Sequence, residues 1–188
     1  MARSIDASVL IVGGGPVGLT LALDLASRGV DVVVTEIRHA GELPSVKCNQ
    51  VSSRSMEVYR RLGIAKTIRR AGLPQDHAHD VACRISATGR ELSRIALPSP
   101  AGRERGEQGD DTWWPTPEST HRINQTYLEP ILFKCASEHP GIRILNRAQF
   151  EEFSQDEHGV TGVARDLDGG ERVSISCRYL VGCDGARS

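Results

Sequence analysis

Apolar and polar residues follow a strand-and-helix rhythm over the first forty positions. The apolar run at 8–12 ends in glycine, which is typical of a strand buried on both faces. Leucine, alanine and valine recur through 16–27 until Arg28-Gly29 ends the pattern, which predicts a helix. A second apolar run at 31–36 predicts another buried strand. This part of the chain therefore predicts a β-α-β unit.

Beyond residue 40 the pattern predicts two short helices, after which a strand rhythm replaces the helical one from residue 81. Met56, Val58 and Leu62 stand among charged residues and predict a surface helix over 52–62, followed by a short helix ending at Gly72. The stretch 98–119 is rich in Pro, Gly and charge, which predicts a long loop. Other segments predict a hairpin over 81–96 turning at Thr88-Gly89, a helix over 125–137, a strand over 142–145, a hairpin over 149–164 turning at His158-Gly159, and an extended run over 173–181.

Three glycines lie where the first strand gives way to the first helix. Gly13, Gly15 and Gly18 fit the pattern G-x-G-x-x-G, with a strand before it and a helix after it. The first glycine permits a tight turn, the second lets backbone approach a pyrophosphate, and the third brings helix and strand together. Pro16 and Val17 fill the first helical turn, where the helix dipole favours phosphate. The pattern predicts dinucleotide binding, with a turn that binds nothing as the alternative.

An acidic residue ends the second predicted strand. Glu36 lies about 20 residues beyond the glycines, where a carboxylate accepts hydrogen bonds from an adenosine ribose. Charge repulsion there disfavours a 2′-phosphate, so FAD or NAD is expected before NADP. Arg38, two residues further, is a further candidate cofactor-binding residue.

Composition argues against nucleic-acid-binding, disulfide-rich, zinc-binding and membrane-spanning proteins. The formal net charge is -1, with 23 basic and 24 acidic residues, so no nucleic-acid partner is indicated. Five cysteines without a Cys-x-x-Cys pair favour neither disulfides nor a structural zinc site. Neither a signal peptide nor a membrane-length apolar run is evident. We therefore expect a soluble cytoplasmic protein without a membrane partner and without a bound metal.

Taken together, these motifs resemble those of a known enzyme family. The glycines, Glu36, the segment 47–63, Arg122-Ile-Asn-Gln125 and the closing Gly182-Cys-Asp-Gly185 occur in the order found in the N-terminal part of FAD-dependent aromatic hydroxylases. These are the para-hydroxybenzoate hydroxylase-like class A flavin monooxygenases. The resemblance implies an α/β fold: a Rossmann-like FAD-binding domain of the glutathione reductase type, with a partial β-sheet region inserted or appended.

The same resemblance implies which residues hold the cofactor. Lys47 stands where the family commonly has an arginine, and Arg54 matches a basic position nearby that can equally be a solvated helix charge. Gln125 would contact the flavin side of FAD, with Arg122 near it. Asp184, Gly185 and Arg187 would form the family's Asp-Gly motif, implicated in binding both FAD and NAD(P)H.

The implied activity is hydroxylation of a phenolic or polycyclic aromatic substrate with FAD, NADH or NADPH, and O2. The chain shows no counterpart of the family's later Gly-Asp motif, so we expect residues 1–188 to be a portion of the FAD-binding domain, with 78–120 beginning the substrate-side sheet. No catalytic side chain is identified. The alternatives are another FAD-dependent oxidoreductase, such as a reductase or halogenase, or a non-catalytic dinucleotide-binding module.

The sequence leaves the roles of three isolated features and the oligomeric state undecided. Trp113-Trp114 either faces an aromatic substrate or anchors the long loop, and His77-x-His79 lacks the partners that a metal site needs. Cys48 is expected to be a small buried apolar residue rather than a redox thiol. A homodimer is compatible with the sequence.

Overall fold

The computed structural model describes residues 3–45 and 47–186, so the predicted role of Arg187 lies outside the described residues. Its elements follow the predicted order closely. They are β1 (Arg3–Val12), α1 (Pro16–Ala26), β2 (Val32–Glu36), β3 (Gln50–Val51), α2 (Ser53–Arg61), α3 (Ala65–Ala71), β4 (Val81–Arg84), β5 (Glu91–Ile95), α4 (Pro100–Glu104), β6 (His121–Arg122), α5 (Gln125–Ser137), β7 (Ile142–Asn146), β8 (Ala148–Gln155), β9 (Val160–Asp166) and β10 (Arg172–Gly182).

The first of two compact units comprises residues 3–45 and 128–186. Its six-stranded sheet has the order β7-β2-β1-β10-β9-β8. Strands β7, β2, β1 and β10 run parallel to one another, whereas β9 is antiparallel to both β10 and β8. All five residues of β2 are buried, as expected for a parallel strand covered on both faces. The mixed α/β fold with its β-α-β start is confirmed.

A continuous apolar core lies along the sheet of this unit. Leu10 and Ile175 are fully enclosed, and Ile5, Val33 and Ala164 pack in the same cluster. Leu10 and Ile175 come from adjacent parallel strands, so pairing of β1 with β10 brings the two ends of the chain's sequence into one core. The strand ends that carry the candidate site are therefore held by buried apolar packing.

The second unit comprises residues 47–127 and is less regular. Its helices bury Met56 and Ile68, but the β4–β5 hairpin leaves every residue of β4 exposed. Two buried histidines, His79 and His121, occupy positions where an apolar residue would be usual. The predicted hairpin over 81–96 and the two helices before it are confirmed.

The structure differs from the sequence predictions in three places. The predicted loop 98–119 contains helix α4, which Ser99 caps by accepting a hydrogen bond from the Gly102 amide at 3.0 Å. The two-residue strands β3 and β6 were not predicted, because a pair so short carries no alternation. Strand β1 begins at Arg3 rather than at residue 8, since its polar first half pairs with β10.

Within the described residues, no helix combines the length and apolar character that crossing a lipid bilayer would require. The same part of the chain contains no group of three or more His, Cys, Asp or Glu residues suited to holding a metal ion.

Candidate functional site

The carboxyl ends of the parallel strands meet at one edge of the sheet in the first unit. Val12 pairs with Gly182 in the register of β1 and β10, and Glu36 pairs with Asn146 in the register of β2 and β7. Ligands of parallel α/β sheets bind at this edge, because the loops that follow the strands diverge there. The predicted glycine turn, the predicted ribose acceptor and the predicted Asp-Gly motif all follow these strands.

Gly13 makes the turn at the end of β1 and lies against the Asp-Gly motif. Its φ of +102° is in the left-handed region that favours glycine. A Cβ atom here would lie 2.6 Å from the carbonyl oxygen of Cys183 and 2.7 Å from the amide nitrogen of Asp184. Gly185 also adopts a left-handed φ, at +100°. The structure therefore brings together Gly13, Asp184 and Gly185, which lie at opposite ends of the sequence.

The other two glycines of the motif play different structural roles. A Cβ atom on Gly18 would collide with the carbonyl oxygen of Gly13, so the third glycine is required by close packing of helix on strand. At Gly15 a Cβ atom would meet no described atom within 4 Å. Gly15 is also the N-cap of α1, and no described side chain caps that helix end. Pro16 follows as the first helical residue, with Val17 68% exposed beside it.

The start of α1 thus has the form of an anion cradle. Helix N-termini present amide groups without intrahelical partners, and the helix dipole favours negative charge there. The open space at Gly15 leaves room for a phosphate to approach the backbone. These observations fit the diphosphate of FAD.

Glu36 is buried beside this cradle and is fixed by hydrogen bonds. Its Oε2 accepts a hydrogen bond from the Gly14 amide at 2.8 Å, and its Oε1 accepts one from the Arg38 amide at 3.0 Å. Burial alone would raise the pKa of Glu36, but hydrogen bonds from Arg38 and from the Gly14 amide lower it below its ordinary value. Glu36 therefore carries a negative charge at neutral pH.

Arg38 links Glu36 to a second buried carboxylate. Its Nε and Nη2 lie 3.0 and 3.1 Å from the two carboxylate oxygens of Glu36. Its Nη1 lies 2.5 Å from Oε1 of Glu129, which α5 contributes and which is 5% exposed. The hydrogen bonds with Glu36 raise the pKa of Arg38, burial opposes this, and Glu129 adds to the increase.

An open, shallow pocket adjoins these three charged residues. The side chains and backbone that line it come from the glycine turn, the segment after β2, helix α5 and the end of β7. They are Gly14, Glu36, Arg38, His39, Gly41, Glu42, Pro44, Glu129, Pro130, Phe133 and Asn146. The lining combines charged groups that can bind hydroxyls with an aromatic and two proline rings, a mixture that suits a nucleoside.

The segment after β2 is tethered by the turn between β7 and β8. Arg147 has φ +56°, which is rare for a residue with a side chain. Its amide donates to the carbonyl of Arg38 at 3.2 Å, and its Nη1 donates to the carbonyl of Ile37 at 3.4 Å. The Nε of Arg147 donates to the carboxylate of Asp168 at 3.0 Å. The side-chain amide of Asn146 donates to the Arg38 carbonyl at 3.3 Å. This turn therefore fixes the backbone that carries Arg38.

In the second unit the structure brings together two of the predicted cofactor residues. Gln125 is 7% exposed, and its Oε1 accepts a hydrogen bond from the Lys47 amide at 3.0 Å. The backbone amide of Gln125 donates to the carbonyl of Cys48 at 3.1 Å. The Lys47 side chain is exposed, so its amine can reach a ligand. Cys48 is half-buried rather than buried as expected.

The remaining predicted residues of this unit have local partners. Arg122 donates from Nη2 to the carbonyl of His79 at 3.1 Å. Arg54 is 79% exposed and pairs with Glu57 at 3.5 Å, which fits a solvated helix charge. Trp113 and Trp114 stack edge-to-face with ring centroids 5.6 Å apart and are 74% and 45% exposed, so neither anchors the loop in a core.

Sequence reasoning missed several residues of the site. Gly14 was passed over because only its neighbours fit the glycine pattern, although its amide holds Glu36. Glu129 was visible only as the last residue of Arg122-Ile-Asn-Gln-Thr-Tyr-Leu-Glu, with nothing to indicate burial. Asn146 and Arg147 gave no signal, because their role depends on the pairing of β7 with β2.

The whole chain matches a known family and known proteins. Residues 6–188 match the family described as FAD binding domain. The chain is 35% identical to the FAD-dependent monooxygenase apdD of Emericella nidulans over 185 residues, which cover 96% of this chain and 29% of that protein. It is 31% identical over 188 residues to 2,4-dichlorophenol 6-monooxygenase of Cupriavidus pinatubonensis, covering 100% of this chain and 30% of that protein. The chain thus spans about a third of the length of these relatives.

Solved structures agree in fold. The substrate-free form of the rebeccamycin biosynthetic enzyme RebC superimposes with a TM-score of 0.80 at 38% identity, covering 99% of this chain and 34% of that one. The flavin-dependent monooxygenase PieE, in complex with FAD and substrate, gives a TM-score of 0.82 at 31% identity over 100% of this chain and 31% of that one. The chain belongs to the FAD-binding domain family of the flavin-dependent aromatic hydroxylases, as its motifs predict.

Proposed function

We propose that this chain holds FAD for the hydroxylation of a small aromatic substrate. The observation that carries the proposal is the glycine turn at the end of β1. Gly13 and Gly18 are enclosed by backbone there, whereas Gly15 faces open space at an uncapped helix start within the described residues. Gly15 has an ordinary extended backbone (φ -77°) and no described neighbour that would exclude a side chain, so the approach of a ligand accounts for a glycine at this position.

Each candidate residue has a task that its position supports. The start of α1, with Gly15, Pro16 and Val17, binds the diphosphate. Glu36 accepts hydrogen bonds from the adenosine ribose, and its negative charge disfavours a 2′-phosphate. Asp184 and Gly185 border the same turn from β10.

The family resemblance also assigns residues of the second unit to cofactor binding. Gln125 fixes the backbone at Lys47, whose exposed amine supplies positive charge. Arg122 pairs with Gln50, three residues beyond Lys47, and its side chain donates to the carbonyl of His79. The hairpin of β4 and β5 begins the substrate-side sheet, in keeping with its exposure.

The proposed overall reaction consumes one O2, one NADH or NADPH and one proton for each hydroxyl group formed. One oxygen atom enters the aromatic ring and the other leaves as water, with NAD⁺ or NADP⁺ as the oxidised product. Bound FAD supplies the redox chemistry, and the chain supplies binding, orientation and charge. Relatives named for phenol, dichlorophenol and aklavinone support phenolic or polycyclic aromatic substrates. Five free cysteines favour a reducing compartment such as the cytoplasm.

The direct test is an FAD titration of the purified chain, followed by visible absorption and by quenching of flavin fluorescence. We expect saturable binding with flavin bands near roughly 370 and 450 nm, which belong to the cofactor itself. Glu36→Arg removes the carboxylate that holds the Gly14 amide and places two cations together at the glycine turn, so binding should weaken by at least about 100-fold. Failure of the folded wild-type chain to bind FAD would rule out the proposed function.

A further inference from the structure

The Glu36 carboxylate accepts four hydrogen bonds from within the chain. Oε1 accepts from the amide and from Nε of Arg38, both at 3.0 Å. Oε2 accepts from the Gly14 amide at 2.8 Å and from Nη2 of Arg38 at 3.1 Å. An ionised carboxylate offers about four lone-pair positions in all. Two ribose hydroxyls can therefore bind Glu36 only at positions that donors of the chain already use.

The four internal donors are not equally replaceable. The Gly14 amide and the Arg38 amide belong to backbone that is fixed by the glycine turn and by the tether from Arg147. The Arg38 side chain, by contrast, can rotate about its own bonds without moving any strand. Its Nε and Nη2 form a bidentate pair with the carboxylate, and adjacent 2′ and 3′ hydroxyls can present a similar pair of donors.

We propose that the Arg38 side chain competes with the adenosine ribose for Glu36 and so determines how strongly the site selects a ribose. This inference rests on the proposed function, because it concerns the same cofactor at the same carboxylate. When a ribose binds, Nε and Nη2 leave Glu36, and the two hydroxyls take their acceptor positions. The amides of Gly14 and Arg38 remain in place.

Glu129 keeps the Arg38 guanidinium paired with a carboxylate when Arg38 leaves Glu36. It already holds Nη1 of Arg38 at 2.5 Å and is itself 5% exposed. After the exchange the guanidinium stays paired with Glu129, so one buried ion pair persists throughout. The negative charge of Glu129 thus lowers the cost of moving Arg38 away from Glu36, which makes Glu129 a positioning residue.

The competition has a measurable consequence for selectivity. Charged N–H donors form stronger hydrogen bonds to a carboxylate than neutral hydroxyls do. In the wild-type chain the two hydroxyls replace the hydrogen bonds from Nε and Nη2 of Arg38. The ribose hydroxyls therefore add little to the free energy of FAD binding. In a chain without the Arg38 guanidinium, the same hydroxyls would bind the two acceptor positions that Nε and Nη2 had filled, and would contribute fully.

The test compares FAD with its analogue that carries 2′,3′-dideoxyadenosine in place of adenosine. For each chain we take the ratio of the analogue's Kd to that of FAD, measured by fluorescence titration. We expect a ratio within about threefold of unity for the wild type, and a ratio at least about tenfold larger for Arg38→Met, from two hydroxyl hydrogen bonds to a charged group. Any direct contact of Arg38 with adenine or phosphate affects both ligands and cancels in the ratio.

Two further variants give the ratio an expected order. Glu129→Gln should bring the ratio closer to unity than in the wild type, because Glu36 is then the only charged partner among the described contacts of Arg38, beside the Gly14 carbonyl at 3.5 Å. Arg38→Lys keeps the charge but loses the bidentate pair, so its ratio should lie between those of the wild type and Arg38→Met. If Arg38→Met does not fold, Arg38→Lys carries the test with the same sign. Arg143→Met, at an exposed position of β7, is the matched control and should keep the wild-type ratio.

An equal or smaller ratio in the Arg38 variants would overturn the inference, because it would mean that Arg38 supports ribose binding or ignores it. Failure of the wild type to bind either ligand would instead contradict the proposed function. The two failures are therefore distinguishable in one set of titrations.

Discussion

The two units of this chain stabilise their loops by different means. In residues 3–45 and 128–186, the turn at the site is shaped by backbone packed on backbone, as the contact of Gly13 with Asp184 illustrates. In residues 47–127, polar side chains hold the loops: Arg69 Nη2 lies 2.6 Å from Glu118 and 2.9 Å from the carbonyl of Ser119. The glycine turn of the first unit should therefore be sensitive to added atoms, and the loop around Glu118 in the second unit to changes of charge.

The largest effect is expected from adding a methyl group at Gly13. Gly13→Ala places a Cβ atom against the backbone of Cys183 and Asp184 at a left-handed φ. We expect a loss of at least about 3 kcal/mol in the free energy of unfolding, from backbone strain and overpacking together. Urea unfolding followed by circular dichroism measures it.

Gly15→Ala is the matched control, since its added Cβ meets no described atom within 4 Å. Its unfolding free energy should change by less than about 0.5 kcal/mol. Gly15→Val should also fold but should lose FAD affinity, because its branched side chain occupies the phosphate approach. Equal destabilisation by the two alanine substitutions would show that backbone packing does not distinguish these glycines.

The next effect is a pH dependence located in the second unit. His79 is 2% exposed, and its Nδ1 lies 3.2 Å from the hydroxyl of Thr120. Burial, with the positive charge of Arg122 nearby, lowers the pKa of His79 to about 4. The folded chain holds this histidine neutral while the unfolded chain protonates it near pH 6.5, so stability is full above pH 6.5 and falls as the pH drops toward 4.

A shift of this size corresponds to about 3 kcal/mol once the pH is below 4. His79→Asn keeps a polar group but cannot titrate, so its free energy of unfolding should fall less than that of the wild type between pH 7 and pH 4.5. Urea unfolding at both values measures the difference. If the free energy of unfolding fell equally with pH in both chains, protonation of His79 would not be the cause of the loss of stability.

A smaller effect is expected where the first unit stores strain. Arg147→Ala loses the hydrogen bond to Ile37 and the ion pair with Asp168 while keeping a side chain at φ +56°. Arg147→Gly loses the same contacts but relieves the backbone. We therefore expect the glycine variant to be more stable than the alanine variant by about 1 kcal/mol, as judged by thermal unfolding. The reverse order would mean that the left-handed backbone carries no strain.

The sequence predicted the regular elements and the glycine turn well because both depend on local signals. Apolar periodicity marked β1, α1 and β2, and the glycine spacing marked the turn between β1 and α1. Helix α4 was missed because a Pro- and Gly-rich composition resembles a loop even when Ser99 caps a short helix.

The site residues that escaped prediction depend on contacts distant in sequence. Glu129 becomes a partner of Arg38 only when α5 packs beside the end of β2, and Arg147 reaches Ile37 only because β7 pairs with β2. Their individual residue types are ordinary for exposed positions, so a single sequence offers no signal for their burial or pairing. Contacts between elements distant in sequence therefore determine which of these polar residues lie at the site, and local patterns do not show such contacts.

The most direct test of the account is a crystal structure of the chain grown with excess FAD. We expect the diphosphate within hydrogen-bond distance of the amides at the start of α1, next to Gly15, and the adenosine ribose hydroxyls on the carboxylate of Glu36. Density for FAD at any other place, or a chain that crystallises with this turn empty, would contradict the assignment of the glycine turn as the cofactor site.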